Sequence, residues 1–259
     1  MSGLLLPSEE SPVIQVNENG RSAIVLVCEH AGRVIPEVLG DLGLPHSELS
    51  RHIAWDIGAE GMARAMSRLL DAPLILQRYS RLAYDCNRPP EHPGAMPEMS
   101  ETTPIPGNHG LSHEQRMARA EALYFPFHAA VRAAIDKKIE KGVAPVLVTL
   151  HSFTRVFKGM ERAVELGLLH DADDRLARQL LALTQADSPA TDARLNEPYG
   201  PQDGVAHTLN LHGNSRGITN VMIEVRNDLI AEAEGQAAWA GQLASRLQRA
   251  LSGPAAGKT

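Results

Sequence analysis

The sequence predicts an α/β sandwich, with helices on both faces of a largely parallel sheet. Short apolar runs rich in β-branched residues alternate with segments of helical period. The runs are nearly continuous rather than alternating, as strands buried on both faces require. The chain has 259 residues, 43% hydrophobic and 22% charged, enough for one domain (1–259) with a sizeable core.

Residues 23–29 (AIVLVCE) read as the first strand, followed by a helix over 56–70 with Asp56 suited to its N-cap. Residues 72–76 (APLIL) are the second strand. A long helix over 112–141 opens with Ser112 and Gln115 at capping-box spacing, and Pro126 kinks or divides it. Residues 145–150 (PVLVTL), 163–169 (AVELGLL) and 219–225 (TNVMIEV) supply three more strands, and 173–183 and 228–251 two more helices. Residues 1–20 and 252–259 read as loose tails around a core of 20–252. Two stretches rich in turn formers, 88–110 and 196–217, read as loops that wall a site.

Composition excludes several functions. A net charge of −6 disfavours nucleic acid and anionic membranes as partners, and 4% aromatics leave little for base stacking. No apolar run approaches the roughly 20 residues of a membrane span. The opening MSGLLLPSEESP lacks the basic and apolar regions of a secretory signal, and there are only two cysteines, so a cytoplasmic location is expected. No G-x-G-x-x-G, Walker A or G-x-S-x-G motif is present.

In α/β sheets ligands gather beyond the C-terminal ends of the strands. There the sequence places Glu29-His30-Ala31-Gly32, the segment Arg81 to Arg88 (RLAYDCNR), His151-Ser152 and Glu224-Val225-Arg226. Histidines with carboxylates suit a divalent metal, zinc (Zn2+) first, which would supply hydroxide near neutral pH. His30 and His151 are candidate ligands, Asp56 the third with Glu29 in reserve, and Glu224 the general base. Each has a plainer reading alone: a hydrogen-bonded structural histidine, a helix cap, or a partner for Arg226. His207 and His212 fall in the second loop, where a solvated histidine is the default. Arg81, Arg88 and Arg226 suit an anionic small substrate, since arginine grips carboxylates by paired hydrogen bonds. Pro89-Pro90 stiffens the chain behind Asn87-Arg88. Asp85 could orient an arginine or hold a metal-bound histidine from behind.

Taken in order, CEHAG, RYSRLAYDCNRP, TLHSF and NVMIEVRNDLI resemble the N-formylglutamate amidohydrolase family over about residues 23–250. That family is similar in fold to zinc carboxypeptidases and aspartoacylase-type deacylases. The resemblance implies a three-layer α/β/α sandwich with a mixed sheet of about eight strands. It implies hydrolysis of N-formyl-L-glutamate to formate and glutamate, late in a histidine-degradation route. It matches His30 and His151 to metal ligands, Asp56 less closely, Glu224 to a catalytic glutamate, and Asn87-Arg88 to a pair that holds a substrate carboxylate. The chain departs by carrying Glu29-His30-Ala31-Gly32 where relatives read Pro-His-Ser-Gly, and Arg33 where carboxypeptidases complete H-x-x-E. The competing readings are a non-catalytic binder of an anionic N-acyl amino acid and a metal-free amidase using Ser152, Cys28 or Cys86.

Overall fold

Along the five-residue strand Ile24–Cys28, successive side chains enter two different cores. Ile24, Leu26 and Cys28 face one helical layer, Val25 and Val27 the other. A computed structural model describes residues 3–252. The strands are β1 (Val13–Val16), β2 (Ile24–Cys28), β3 (Leu74–Gln77), β4 (Met99–Ser100), β5 (Thr103–Pro104), β6 (Val146–Phe153), β7 (Val156–Phe157), β8 (Met160–Glu161), β9 (Leu166–Leu169), β10 (Ala193–Leu195) and β11 (Thr219–Arg226). The helices are α1 (Ala59–Leu70), α2 (His113–Arg119), α3 (Phe125–Glu140), α4 (Arg175–Asp187) and α5 (Ala233–Ser252).

Seven strands form the main sheet in the order β1-β3-β2-β6-β11-β9-β10, one fewer than the resemblance implies. The four central strands β3, β2, β6 and β11 are mutually parallel. β1 and β9 run antiparallel to their central neighbours, and β10 pairs parallel with β9, so the sheet is mixed. Helices α1, α4 and α5 cover one face, while α3 and the turn before it cover the other with Phe127, Val131 and Ile135. The chain turns from β2 outward to β3, then back across to β6. The switch point of the parallel strands therefore lies between β2 and β6, where such sheets open a crevice.

Several elements depart from the sequence reading. The segment read as a loose N-terminal tail carries β1, which pairs with β3 from Val13↔Gln77 to Val16↔Leu74. The expected C-terminal tail lies, beyond Ser252, outside the described residues. α1 begins at Ala59 with Gly58 as N-cap, so Asp56 caps nothing. The Ser112–Gln115 capping box forms, but a wide turn over Ala120–Tyr124 separates α2 from α3 just before Pro126, whose missing N–H suits a helix start. β6 runs three residues further than expected, so His151 and Ser152 lie inside the strand. The second expected loop is largely helical across 207–216, and the first holds the β4–β5 hairpin. No described helix is long and apolar enough to cross a membrane.

Candidate active site

The site is assembled at the ends of β2, β6 and β11. Past β2 the chain turns sharply at Gly32, whose N–H donates to the Gln77 carbonyl at 2.9 Å. A Cβ there would lie 1.7 Å from the Arg78 carbonyl oxygen, so only glycine allows this approach and the placement of His30. The Asp56 N–H donates to the His30 carbonyl at 2.9 Å, tying the entry of α1 to the exit of β2. Gly58 turns the chain at φ +80°, where a Cβ would meet the Ile230 carbonyl at 2.0 Å. Asp56 is thereby held outside the helix with its carboxylate free to face the two imidazoles.

The His30 and His151 rings meet edge to face with centroids 5.0 Å apart. Asp56 Oδ2 lies 2.9 Å from His151 Nδ1 and 3.4 Å from His30 Nδ1. The opposite nitrogens face other carboxylates: His30 Nε2 is 2.7 Å from Asp85 Oδ1, and His151 Nε2 is 3.1 Å from Glu29 Oε2. The Glu29 contact is close but poorly aligned, leaving both Glu29 oxygens and His151 Nε2 without a well-directed hydrogen bond. Glu29 is therefore placed behind His151, and Asp56 is the carboxylate that shares a face with both Nδ1 atoms. All of these groups are buried.

One ligand atom from each of His30, Asp56 and His151 lies within 4.8 Å of the others, and this donor set fits a divalent cation. With Nε2–H of His30 directed at Asp85, its Nδ1 lone pair points at the lone pairs of Asp56, so a proton or a cation must lie between them. Burial and Arg81 oppose charge on His30, yet Asp85 and Asp56 raise its pKa. Burial likewise opposes charge on His151, but Glu29 and Asp56 hold it well above the ordinary value. Burial also opposes the Asp56 carboxylate, which His30 and His151 keep far below the usual range.

Glu224 pairs in register with His151 across β11 and β6, so both side chains leave the same face of the sheet. Burial pushes its pKa up to about 7, with Asp56 adding and His151 opposing. Its Oε2 has no hydrogen-bond partner. Arg81 spans Asp85 (2.9 Å) and Asp56 (3.3 Å), so both ends of its guanidinium are committed to the ligand shell. The Asn87 amide is engaged as well: Oδ1 accepts from the Thr208 N–H at 3.0 Å and Nδ2 donates to the Val205 carbonyl. Arg88 differs, with no carboxylate within 4.0 Å among the described residues and a buried Nη1 lacking a partner.

These groups line a cavity of about 510 Å³ that includes His30, Asp56, His151, Glu224, Asn87 and Arg88. Arg226 does not line it. Its guanidinium turns to Asp228 at 2.8 Å and to the Ala163 carbonyl at 3.0 Å, an edge pairing that removes it from substrate contact. Arg33 is also outside, over the Trp55 ring at 5.1 Å. His207 and His212 are not solvated loop residues. His207 Nε2 contacts the Tyr124 hydroxyl at 2.7 Å, and His212 Nε2 contacts His128 Nδ1 at 2.9 Å.

One wall of the cavity was not foreseen. Arg162, just past β8, lies against the rings of Phe157 (4.5 Å), Tyr199 (4.8 Å) and Phe153 (5.8 Å), and Nη1 donates to the Tyr199 hydroxyl at 2.9 Å. A lone arginine in a polar hairpin gives no signal in sequence; the aromatics that hold it come from β6, β7 and a distant turn.

At the C-terminal ends of the central strands of a mixed α/β sheet, a buried His–Asp–His cluster whose donor set suits a divalent cation stands beside a buried glutamate, and this is the candidate catalytic centre. The family model for N-formylglutamate amidohydrolase matches residues 22–231. The chain belongs to the N-formylglutamate amidohydrolase family and is a hydrolase acting on amide bonds. Among solved structures, gene product Atu2144 from Agrobacterium tumefaciens is 49% identical with a TM-score of 0.93, covering 96% of this chain and 98% of that one. The N-formylglutamate amidohydrolase from Ralstonia eutropha JMP134 is 19% identical with a TM-score of 0.68, over 93% of this chain and 97% of that one, a likeness of fold. No curated protein matches the sequence.

Proposed function

We propose that the chain is a divalent-metal-dependent amidohydrolase, zinc being the first candidate, that cleaves the N-acyl amide of an acidic amino acid, N-formylglutamate-like, in the cytoplasm. The observation that carries this is the convergence of His30 Nδ1, His151 Nδ1 and Asp56 on one point, with Glu224 beside it. His30, Asp56 and His151 would hold the ion, and Asp85 and Glu29 would fix the imidazoles from behind. When bound, the ion supplies Lewis-acid polarisation of the acyl carbonyl and a lowered pKa for water.

The chain's own residues supply the rest. Arg88 pairs with the α-carboxylate, its half-buried guanidinium making no ion pair within 4.0 Å among the described residues and its buried Nη1 having no hydrogen-bond partner. Asn87 keeps Arg88 and the 205–208 segment in place through its two backbone bonds. Arg81 pairs with Asp56 and Asp85 and holds both carboxylates toward the histidines, and with His30 it keeps Asp85 ionised. Glu224, poised near neutrality, takes a proton from the attacking water and returns it to the leaving amine.

The metal-free alternatives lack a nucleophile. The Ser152 hydroxyl donates to the Ile57 carbonyl at 2.8 Å, so its proton is not directed at a base. Burial raises both thiols, Cys28 and Cys86, well above their ordinary pKa. The test is hydrolysis of N-formyl-, N-acetyl- and N-succinyl-glutamate before and after chelation. Activity should vanish on chelation and return with a divalent ion; activity that survives chelation and is lost in Ser152→Ala overturns the reading.

A further inference from the structure

Three arginines line the cavity, and their pairing differs. Arg81 is neutralised by Asp56 and Asp85. Arg88 and Arg162 have no carboxylate within 4.0 Å among the described residues. Asp203, also in the wall, exerts a favourable pull on Arg88 but makes no ion pair with it; its carboxylate accepts from the Gly200 N–H. Glu101, on the rim, is taken by Arg51 and His52.

Arg162 is held as a preorganised anion fork. Phe157 and Tyr199 lie within cation–π distance of its guanidinium, and the Tyr199 hydroxyl accepts from Nη1. Aromatic contacts restrain the plane of a guanidinium and strip water from its faces, while the in-plane N–H edges stay available. Only Nη1 is spent, on Tyr199 and, at 3.4 Å, on the Thr154 carbonyl; Nε and Nη2 have no internal acceptor.

An N-acyl amino acid has lost its ammonium to the amide. With an acidic side chain it carries two carboxylates and no positive charge, which two unpaired guanidinium groups in one cavity complement. We propose that Arg162 binds the side-chain carboxylate of the substrate, making the enzyme selective for N-acyl dicarboxylic amino acids over neutral ones. This rests on the amidohydrolase reading above, with Arg88 on the α-carboxylate.

The test compares N-formyl-L-glutamate with N-formyl-L-glutamine, which differ at the side-chain carboxylate alone. In Arg162→Met, the glutamate-over-glutamine ratio of kcat/KM should fall about 10- to 100-fold, the range of a charge-assisted pair. Arg162→Lys, which keeps the charge but not the planar fork, should recover part of it. An unchanged ratio, or equal loss on both substrates, overturns the assignment. If the unmodified enzyme hydrolyses neither compound, the N-formyl choice of substrate has failed instead. Calorimetry with glutarate and with its monoamide then decides on Arg162: a loss of preference for glutarate in Arg162→Met upholds it, and an unchanged preference refutes it.

Discussion

Asp85→Asn isolates the contribution of the groups behind the ligands. Asp85 Oδ1 sits 2.7 Å from His30 Nε2, and Oδ2 sits 2.9 Å from Arg81, so one carboxylate orients a ligand and anchors the arginine that reaches Asp56. The amide is nearly isosteric, so the cavity keeps its shape while the negative charge facing His30 Nε2 is lost. A charge-assisted hydrogen bond is worth about 1.5–3 kcal/mol, and removing an outer-shell partner costs about 10- to 100-fold in metal affinity. The Asn side chain can still accept from His30 Nε2–H through its oxygen, which places the expected loss of zinc affinity nearer 10-fold. The assay is competition against a chromophoric chelator, with no substrate present. Unaltered affinity in a variant that melts at the wild-type temperature would refute the orienting role. Loss of folding would be answered by Glu29→Gln, which tests the same device on His151 without touching Arg81.

Glu224→Gln should lower kcat by about 10²- to 10⁴-fold with metal affinity largely retained, as for a lost general base, and full activity would remove Glu224 from that role. The His128–His212 pair sets an acid limit on stability. Burial lowers His128 to about 3, with His212 and His207 adding and the Cys86 carbonyl and Glu29 opposing, and burial lowers His212 to about 4, with Arg132, Arg216 and His207 adding and Glu29 opposing. His128 Nε2 lies 2.8 Å from the Cys86 carbonyl, so it must carry the proton and leave Nδ1 as acceptor. At this pair the folded state thus binds fewer protons than the unfolded chain below about pH 6.5, and the pair's contribution to stability falls as pH drops from there toward 4, by at most about 1.4 kcal/mol per unit per imidazole. Urea unfolding at pH 7 and 5 should show a shallower acid loss in His212→Gln than in the wild type; identical slopes would exclude the pair. Phe127→Ala, emptying a fully buried ring between α3 and the sheet, should cost about 3–5 kcal/mol in the same assay, and a cost below 1 would mean that this layer repacks freely.

What the sequence could and could not reveal follows from how each group is held. His151 and Glu224 lie within, and His30 just past, strands that are strongly apolar on both faces, so polar residues at their ends stand out and the parallel sheet brings them together. Asp56 reads as a third ligand from its place where the helix is expected to start, with a helix cap as the plainer reading; Gly58 delays the helix and frees the carboxylate, so the cap does not form. Arg226 looked equivalent to Arg88, because nothing local distinguishes an arginine that meets Asp228 from one with no counter-charge. β1 was missed because a four-residue edge strand in a polar context has no period long enough to read.

The same reasoning explains the division of labour among the arginines. Arginine charge is permanent, so the surrounding carboxylates alone decide whether a guanidinium orders the protein or awaits a ligand. Arg81 meets two, and its work is internal. Arg226 meets Asp228 just past the end of the central strand β11, and its work is structural. Arg88 and Arg162 meet none, and the chain instead invests packing in them: burial around Arg88, three aromatic rings around Arg162. Two guanidinium groups in one cavity lack an ion-pair partner, and an anionic ligand that pairs with both favours the folded state. Binding of a dicarboxylate should accordingly raise the melting temperature more than twice-equimolar monocarboxylate does, and an equal rise from both would mean that the two guanidinium groups do not act on one molecule.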